Sequence, residues 1–250
     1  MFFINILNLK IHYNHPHDLI PLIETCVLDI YRLDLLNKGD TVLDLGAGIG
    51  EFTLLASKKV GPNGRIIAIE PSPDDYETLL RNIKENKCDN VSPINIAVAD
   101  FNEEREFEFK GKTFSAVCKP LRDILNEEKV GKVNFCKMDI EGGEREVIPP
   151  NASIFSDIHY LSMEIHNGYQ YELVPFMERL GFSFERIKRR NYIRNALKFT
   201  LRHPIKAYQL LHLLKQAGEY PGFGKIMRGI KIASSNNLVV GTFVNSGMPP

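Results

Sequence analysis

Cysteine is scarce in this chain: four among 250 residues (Cys26, Cys88, Cys118, Cys136), with no C-x-x-C pair. That pattern argues against a disulfide framework or a thiolate metal site and predicts reduced thiols in a reducing compartment. Long apolar runs are lacking too, and nothing approaches the roughly 20 residues that cross a bilayer. The apolar start Met1-Phe2-Phe3-Ile4 is cut short by Asn5, Asn8 and Lys10, so a cytoplasmic protein without a secretory leader is expected. Internal repeats and low-complexity tracts are missing. So is net charge, since 31 Lys and Arg balance 31 Asp and Glu. The balance hides a separation. From Arg186 to Lys231 there are twelve basic residues and one acid, Glu219, a local charge of +11 against −11 elsewhere. What remains is ordinary globular composition, 44% hydrophobic and 25% charged, on a chain long enough for one decorated α/β domain.

One further absence is diagnostic. Val42 to Gly50 reads as an apolar strand ending in Asp44-Leu45, then glycines at 46, 48 and 50, then a helix pattern with Phe52, Leu54 and Leu55. A strand, a tight turn and a helix N-terminus form a standard nucleotide seat in an α/β sheet. A dinucleotide fingerprint needs its third glycine at position 51, and that residue is Glu51. Asp44 inside the motif suits a ligand bearing ammonium and sulfonium charges and suits a pyrophosphate badly. These residues favour S-adenosylmethionine over NAD. A second strand, Arg65 to Ile69, ends in Glu70, twenty residues after Gly50, where a carboxylate can grip both ribose hydroxyls.

The surrounding pattern predicts short strands at Phe2–Ile6 and Ile11–Tyr13, then one apolar helical stretch from Leu19 through Leu36. From Thr41 strands and helices alternate: strand 42–45, helix 51–59, strand 65–69, helix 74–86, strand 92–98, a hairpin of 106–109 with 113–118, and strands 133–138 and 158–165. A helix from Leu173 to Leu180 stops at Gly181, and strands 182–187 and 238–245 close the chain. Such alternation implies a mostly parallel sheet with helices on both faces. The fifty residues between the last two strands are too many for a plain loop. They carry helix patterns at 192–201 and 205–216, broken at His203-Pro204. The organisation read from this is an N-terminal extension (1–40) and a main domain (41–250) with a basic helical insertion at about 189–235.

The stretches VLDLGAGIG (42–50), IIAIEPS (66–72), NIAVAD (95–100), VNFCKMDIEGGEREVI (133–148) and LSMEIHNG (161–168) resemble class I S-adenosylmethionine-dependent methyltransferases, and more narrowly the FkbM family. The D-I-E-G-x-E string at 139–144 is the most distinctive of them. The resemblance covers about residues 41–187. It implies a Rossmann-like seven-stranded sheet, S-adenosylmethionine as cofactor, and methyl transfer to oxygen, often on sugars or glycosylated natural products.

Position assigns the expected contacts. Gly46, Ala47, Gly48, Gly50 and Phe52 would lie beneath the methionine part and ribose, with Asp44 near the ammonium. Glu70 would take the ribose hydroxyls, Pro71 and Ser72 would shape the adenine edge, and Ala97 to Asp100 would cover adenine. Asp100 has a second reading, as a turn carboxylate. Asp139 and Glu141 follow one strand and Glu164 and His166 end the next; if the strands are neighbours, all four converge where the methyl group meets its acceptor. His166, with an ordinary pKa near neutrality, is the first choice of base. Asp139 or Glu164 could orient it or take the proton directly, and Glu141 could instead cap the following helix. The same four residues could hold a divalent ion, although no metal is expected. The basic segment has three readings: a solvated helical lid, a surface for an acidic partner, or a membrane-surface helix. The functional expectation is O-methylation of a hydroxyl on a sugar, glycolipid or small metabolite. An RNA methyltransferase docking through the basic insertion, and a cofactor-binding module without turnover, are the rivals.

Overall fold

The computed structural model describes residues 2–166, 168–217 and 239–247. Positions 218–235 of the expected basic insertion, and Leu238 of the last predicted strand, lie outside the described residues. Strands β1 (Phe2–Ile6) and β2 (Leu9–Tyr13) form a hairpin with Ile6 opposite Leu9. Leu7 and Asn8 turn it at φ 49° and 63°, the left-handed pair that a two-residue hairpin loop requires. The single helix predicted over residues 19–36 does not form. The chain makes α1 (Leu19–Ile23), a π-type turn at Glu24–Leu28 and a 3-10 turn at Leu33–Leu35. Asp29 and Arg32 sit in the left-handed region, and Asp29 Oδ1 accepts from Leu33 N at 2.8 Å, a local bond that competes with the helical ladder.

The main alternation follows with β3 (Thr41–Leu45), α2 (Glu51–Val60), β4 (Arg65–Ile69), α3 (Pro73–Glu85) and β5 (Val91–Ile94). The strand predicted over 92–98 is two strands. It stops at Ile94, where Asn95 Nδ2 turns to donate to Glu70 O at 2.8 Å and Pro71 O at 3.1 Å. Then β6 (Ala97–Ala99) leaves the main sheet and pairs parallel with β8 (Lys112–Pro120), whose hairpin partner is β7 (Glu104–Phe109). The remaining elements are α4 (Leu121–Glu127), β9 (Phe135–Met138), α5 (Glu144–Val147), α6 (Ala152–Ser156), β10 (Tyr160–Ile165), α7 (Gln170–Arg179), β11 (Phe182–Arg186), α8 (Arg189–Arg202), α9 (Pro204–Ala217) and β12 (Val239–Asn245).

The seven-stranded sheet runs β11-β12-β10-β9-β3-β4-β5, with β12 antiparallel to both of its neighbours and the other pairings parallel. Chain order reverses between β3 and β9, so a crevice opens beyond their carboxyl ends. Alternate side chains of the central strands feed two apolar layers. Leu43, Leu45, Ile67, Cys136 and Met138 pack on one face, while Val42, Ile66, Ala68 and Phe135 meet Phe52, Ala56 and Leu79 on the other. A third cluster joins parts that are distant in sequence. Ile4, Ile6, Ile11 and Leu22 of the N-terminal segment pack with Leu54 of α2 and with Phe199 and Leu210 of α8 and α9.

Candidate active site

The loop after β3 is held by Gly46 N and Ala47 N, which both donate to Ile69 O at 3.0 and 2.9 Å. Gly46, Gly48 and Gly50 all take positive φ, but each is needed for a different reason. A Cβ on Gly46 would lie 1.8 Å from Asp139 O, and one on Gly50 would lie 2.6 Å from Leu79 Cδ1. Both permit packing within the protein. Only at Gly48 does the Cβ direction open onto free space, with the Glu51 carboxylate 3.9 Å away. All three glycines were expected beneath the ligand; Gly48 leaves open space there, while Gly46 and Gly50 let backbone and helix close up.

Above this loop lies a cavity of about 650 Å³. Of the residues expected at the cofactor, Gly46, Gly48, Glu70, Pro71 and Ala97 line it. Asp44, Ala47, Gly50, Phe52, Ser72 and Asp100 do not. Asp44 is fully buried, 3.4 Å from Lys137 Nζ and accepting from Thr53 Oγ1 at 2.5 Å, so its charge is neutralised inside the protein. Ala47 belongs to the core, and Phe52 stacks on Phe135 and meets Tyr31 edge-on. Ser72 caps α3 by accepting from Asp75 N, and Asp100 is exposed beyond β6.

Glu70 is almost wholly buried, and each of its oxygens takes one backbone donor: Oε2 from Gly48 N at 2.7 Å, Oε1 from Ser72 N at 2.8 Å. Burial pushes its pKa up to about 7, against the pull of the Ser72 and Gly48 amides. One lone pair per oxygen remains for a ligand. Glu51, 4% exposed, lines the cavity with Oε2 unpartnered, and burial raises its pKa to about 8 although Lys137 opposes this. An orphaned buried carboxylate beside an open backbone is what a ligand ammonium would satisfy. These residues fit the cofactor expected from the sequence.

The other end of the cavity is acidic. Tyr31 Oη lies 2.9 Å from Asp139 Oδ2 and 3.1 Å from Glu164 Oε1, so its single proton is placed between the two carboxyl groups. His166 Nδ1 lies 3.0 Å from Glu144 Oε1, while Nε2 faces Glu141 Oε2, Glu164 Oε2 and Asp139 Oδ1 at 3.6, 3.8 and 3.9 Å. Asp139, Glu141, Glu164 and His166 are thus brought together, and Asp139 Oδ1 is buried with no hydrogen-bond partner. The choice of His166 as base is corrected. Burial alone would lower its pKa, but the bond to Glu144 and the charges of Asp139, Glu144 and Glu141 outweigh that and push it to about 10. Near neutrality the ring is an imidazolium with no lone pair to offer. The helix-cap reading of Glu141 is corrected too: Glu144 accepts from Gly142 N at 3.2 Å, and the Glu141 side chain is 63% exposed. One ligand atom each from Asp139, Glu164 and His166 lies within 4.8 Å of the others, a spacing that could hold a divalent ion once the ring is deprotonated.

Sequence reading missed Tyr31, Glu24, Glu51, Lys137 and Glu144. Glu24, from the π-type turn, lines the cavity, and burial with the Asp139 charge raises its pKa to about 8. For Lys137 a signal existed. It is the one charge in an apolar strand, it sits in register with Asp44 of β3, and a buried cation demands such a partner.

A family model described as "Methyltransferase FkbM domain" matches residues 44–184. Among characterised proteins, the chain is 25% identical over 154 residues to the hexuronic acid methyltransferase AglP of Haloferax volcanii, covering 56% of this chain and 62% of that one. It is 32% identical over 81 residues to ribosomal RNA large subunit methyltransferase E of Nitratidesulfovibrio vulgaris, covering 28% of this chain and 40% of that one. In each case the chain spans less than two thirds of the relative's length. Solved structures similar to it include a precorrin-6y C5,15-methyltransferase from Geobacter metallireducens (TM-score 0.46, 18% identity, 66% of this chain and 73% of that one). Another is Aeropyrum pernix fibrillarin with bound S-adenosyl-L-methionine (TM-score 0.42, 20% identity, 63% and 66%). With more than half its residues matched by the family model, the chain belongs to the FkbM family of S-adenosylmethionine-dependent methyltransferases.

Proposed function

We propose that this protein transfers the methyl group of S-adenosylmethionine to a hydroxyl oxygen of a sugar, a glycolipid or a small metabolite. The observation that carries the reading is Asp139 Oδ1: buried, without a hydrogen-bond partner, and set among acidic groups after β9, across β3 from Glu70 at the end of β4. Similarity to a hexuronic acid methyltransferase supports a sugar acceptor. When bound, S-adenosylmethionine supplies an electrophilic methyl group on a positive sulfur. Glu70 would take the ribose hydroxyls, Glu51 the ammonium, and Gly48 would leave room for both.

The protein's own groups then divide the work. Asp139 Oδ1 accepts the hydrogen bond of the acceptor hydroxyl and takes its proton as the oxygen becomes methylated, a role worth about 10²–10⁴ in rate. Tyr31 holds Asp139 through Oδ2 and so leaves Oδ1 free. Burial and the neighbouring Asp139 and Glu164 charges raise the Tyr31 pKa well above 10, so it remains a donor. Burial and the Asp139 charge likewise push the Glu164 carboxyl up, and its place on the cavity wall suits a hydrogen bond with a second substrate hydroxyl. His166 supplies the positive charge that lets these carboxyl groups stay close. An RNA acceptor is less favoured, because no described residue of α8 or α9 lines the cavity.

Calorimetry with S-adenosylmethionine and S-adenosylhomocysteine, followed by methyl transfer to uronic-acid glycosides and to RNA, tests the proposal. Binding of both nucleosides and transfer to the sugar is expected. No heat with either nucleoside, or transfer to RNA alone, refutes it. An Asp139→Ala protein that still performs its biological role would favour a binding module instead.

A further inference from the structure

Helices α8 and α9 have one face committed to the body and one that is not. Toward the body, Asn195 Nδ2 donates to Leu28 O at 2.7 Å, and Phe199 and Leu210 are buried among the N-terminal side chains. On the outer side, helical spacing sets Ile193, Leu197 and Leu201 in one row; Arg190, Arg194, Lys198 and Arg202 form the row beside it, and the first three of these cations also line a cleft with Asp29, Asp34 and Glu185 of the body. The apolar row is open to solvent, with Leu201 82% exposed, and it continues past Pro204 through Ile205, Tyr208 and Leu211. Of the eleven exposed large hydrophobic side chains among the described residues, these two helices carry six. Neither helix contains an acid.

Apolar and cationic rows side by side match one occupant best. A solvated lid gains nothing from six exposed apolar side chains. A symmetric contact with a second copy would set the cationic rows against each other. A nucleic acid would use the cations and leave the leucines idle. No described helix is long and apolar enough to cross a bilayer, so the helices would lie upon it. We propose that α8 and α9 seat the protein on an anionic membrane surface, with the apolar row in the acyl boundary and the cationic row among phosphate headgroups. Because these helices pack on the same N-terminal segment that contributes Glu24 to the cavity wall, seating them would hold the cavity close to a lipid-carried substrate. The seat itself does not depend on the acceptor proposed above.

Flotation of the full chain with phosphatidylcholine vesicles, with and without phosphatidylglycerol, tests this. Binding is expected to the anionic vesicles alone and to fall with salt. Arg194→Gln and Lys198→Gln should each weaken it about fivefold, and Leu197→Ser and Leu201→Ser about tenfold each. S-adenosylmethionine affinity should stay unchanged in all four, which separates a lost seat from a misfolded chain. The sequence has no tryptophan, so Leu201→Trp gives a single reporter whose emission should shift to the blue on anionic vesicles. Failure to float at low salt, flotation indifferent to both leucine substitutions, or a self-associated species dissolved by Leu201→Ser would each overturn the proposal. So would salt-dependent RNA binding by a protein that ignores vesicles.

Discussion

The two ends of the cavity are built by different means. At the Glu70 end, backbone amides do most of the holding: Gly48 N and Ser72 N fix the carboxylate, and Ile69 O fixes the loop. Its parts lie within one strand-helix-strand unit, β3-α2-β4. At the acidic end, side chains do the holding, and they come from four places: Tyr31 and Glu24 from the N-terminal segment, Asp139 and Glu141 after β9, Glu144 in α5, and Glu164 and His166 from β10 and just beyond. A backbone-built half depends on local conformation, and a side-chain-built half depends on the fold as a whole. The first should serve a ligand shared by many proteins, the second a particular acceptor.

The comparison is broken most severely at Asp139. Asp139→Asn keeps the shape and the Tyr31 contact but removes the basic oxygen. Turnover should fall about 10²–10⁴-fold, while calorimetric affinity for S-adenosylmethionine stays within a few-fold of the parent. If affinity and turnover fall together, the two ends are not separable.

Glycine substitutions sharpen the contrast inside the backbone-built half. Gly46→Ala should cost about 2–5 kcal/mol, since its Cβ meets Asp139 O and its φ of 74° strains any side chain. Gly48→Ala meets no such wall and should cost about 1 kcal/mol of stability. Denaturant melts would separate them, and equal losses would contradict the different reasons assigned to the two glycines. Glu70→Gln sets an amide NH2 against one of the two backbone donors that the carboxylate satisfies, so it should weaken cofactor binding about tenfold or more and also cost about 1–3 kcal/mol in the melt.

The same contrast explains what was legible in the sequence. The strand-glycine-helix unit and Glu70 could be read because a few adjacent residues dictate their backbone. The sheet followed from the alternation of strands and helices. Tyr31 and Glu24 were invisible because the predicted helix over 19–36 hid the π-type turn that puts Glu24 on the cavity wall and the non-helical stretch after it from which Tyr31 reaches Asp139 and Glu164. His166 was found, but its role was misread: its ordinary pKa says nothing of four carboxylates gathered from separate elements. Asp44 was given to the ligand because the sequence does not show that Lys137 lies in register with it. Glu51 was noted only as a missing glycine, yet its buried oxygen has no partner.

That oxygen supports the smallest and most specific expectation. Burial raises Glu51 to about 8 and Glu70 to about 7 in the free protein. For a carboxyl group raised above its unfolded value, the native state favours the protonated form. Stability contributed by that proton is full below the unfolded pKa near 4.5 and is lost as pH rises through 7 to 8. His166, raised to about 10, acts in the same direction at higher pH: its contribution is intact below 6.5 and lost as pH climbs through 10. The free protein should therefore become less stable from about pH 5 to pH 10, in two overlapping stages, with His166→Gln flattening the second. A cationic cofactor beside Glu51 must favour the ionised carboxylate. Binding near pH 7.5 should release a fraction of a proton, readable as a calorimetric heat that varies with the ionisation enthalpy of the buffer. Glu51→Gln should abolish much of that dependence while Asp139→Asn leaves it in place. If instead the Asp139 substitution removed it, the ammonium would belong at the acidic end and the division of the cavity would have to be redrawn.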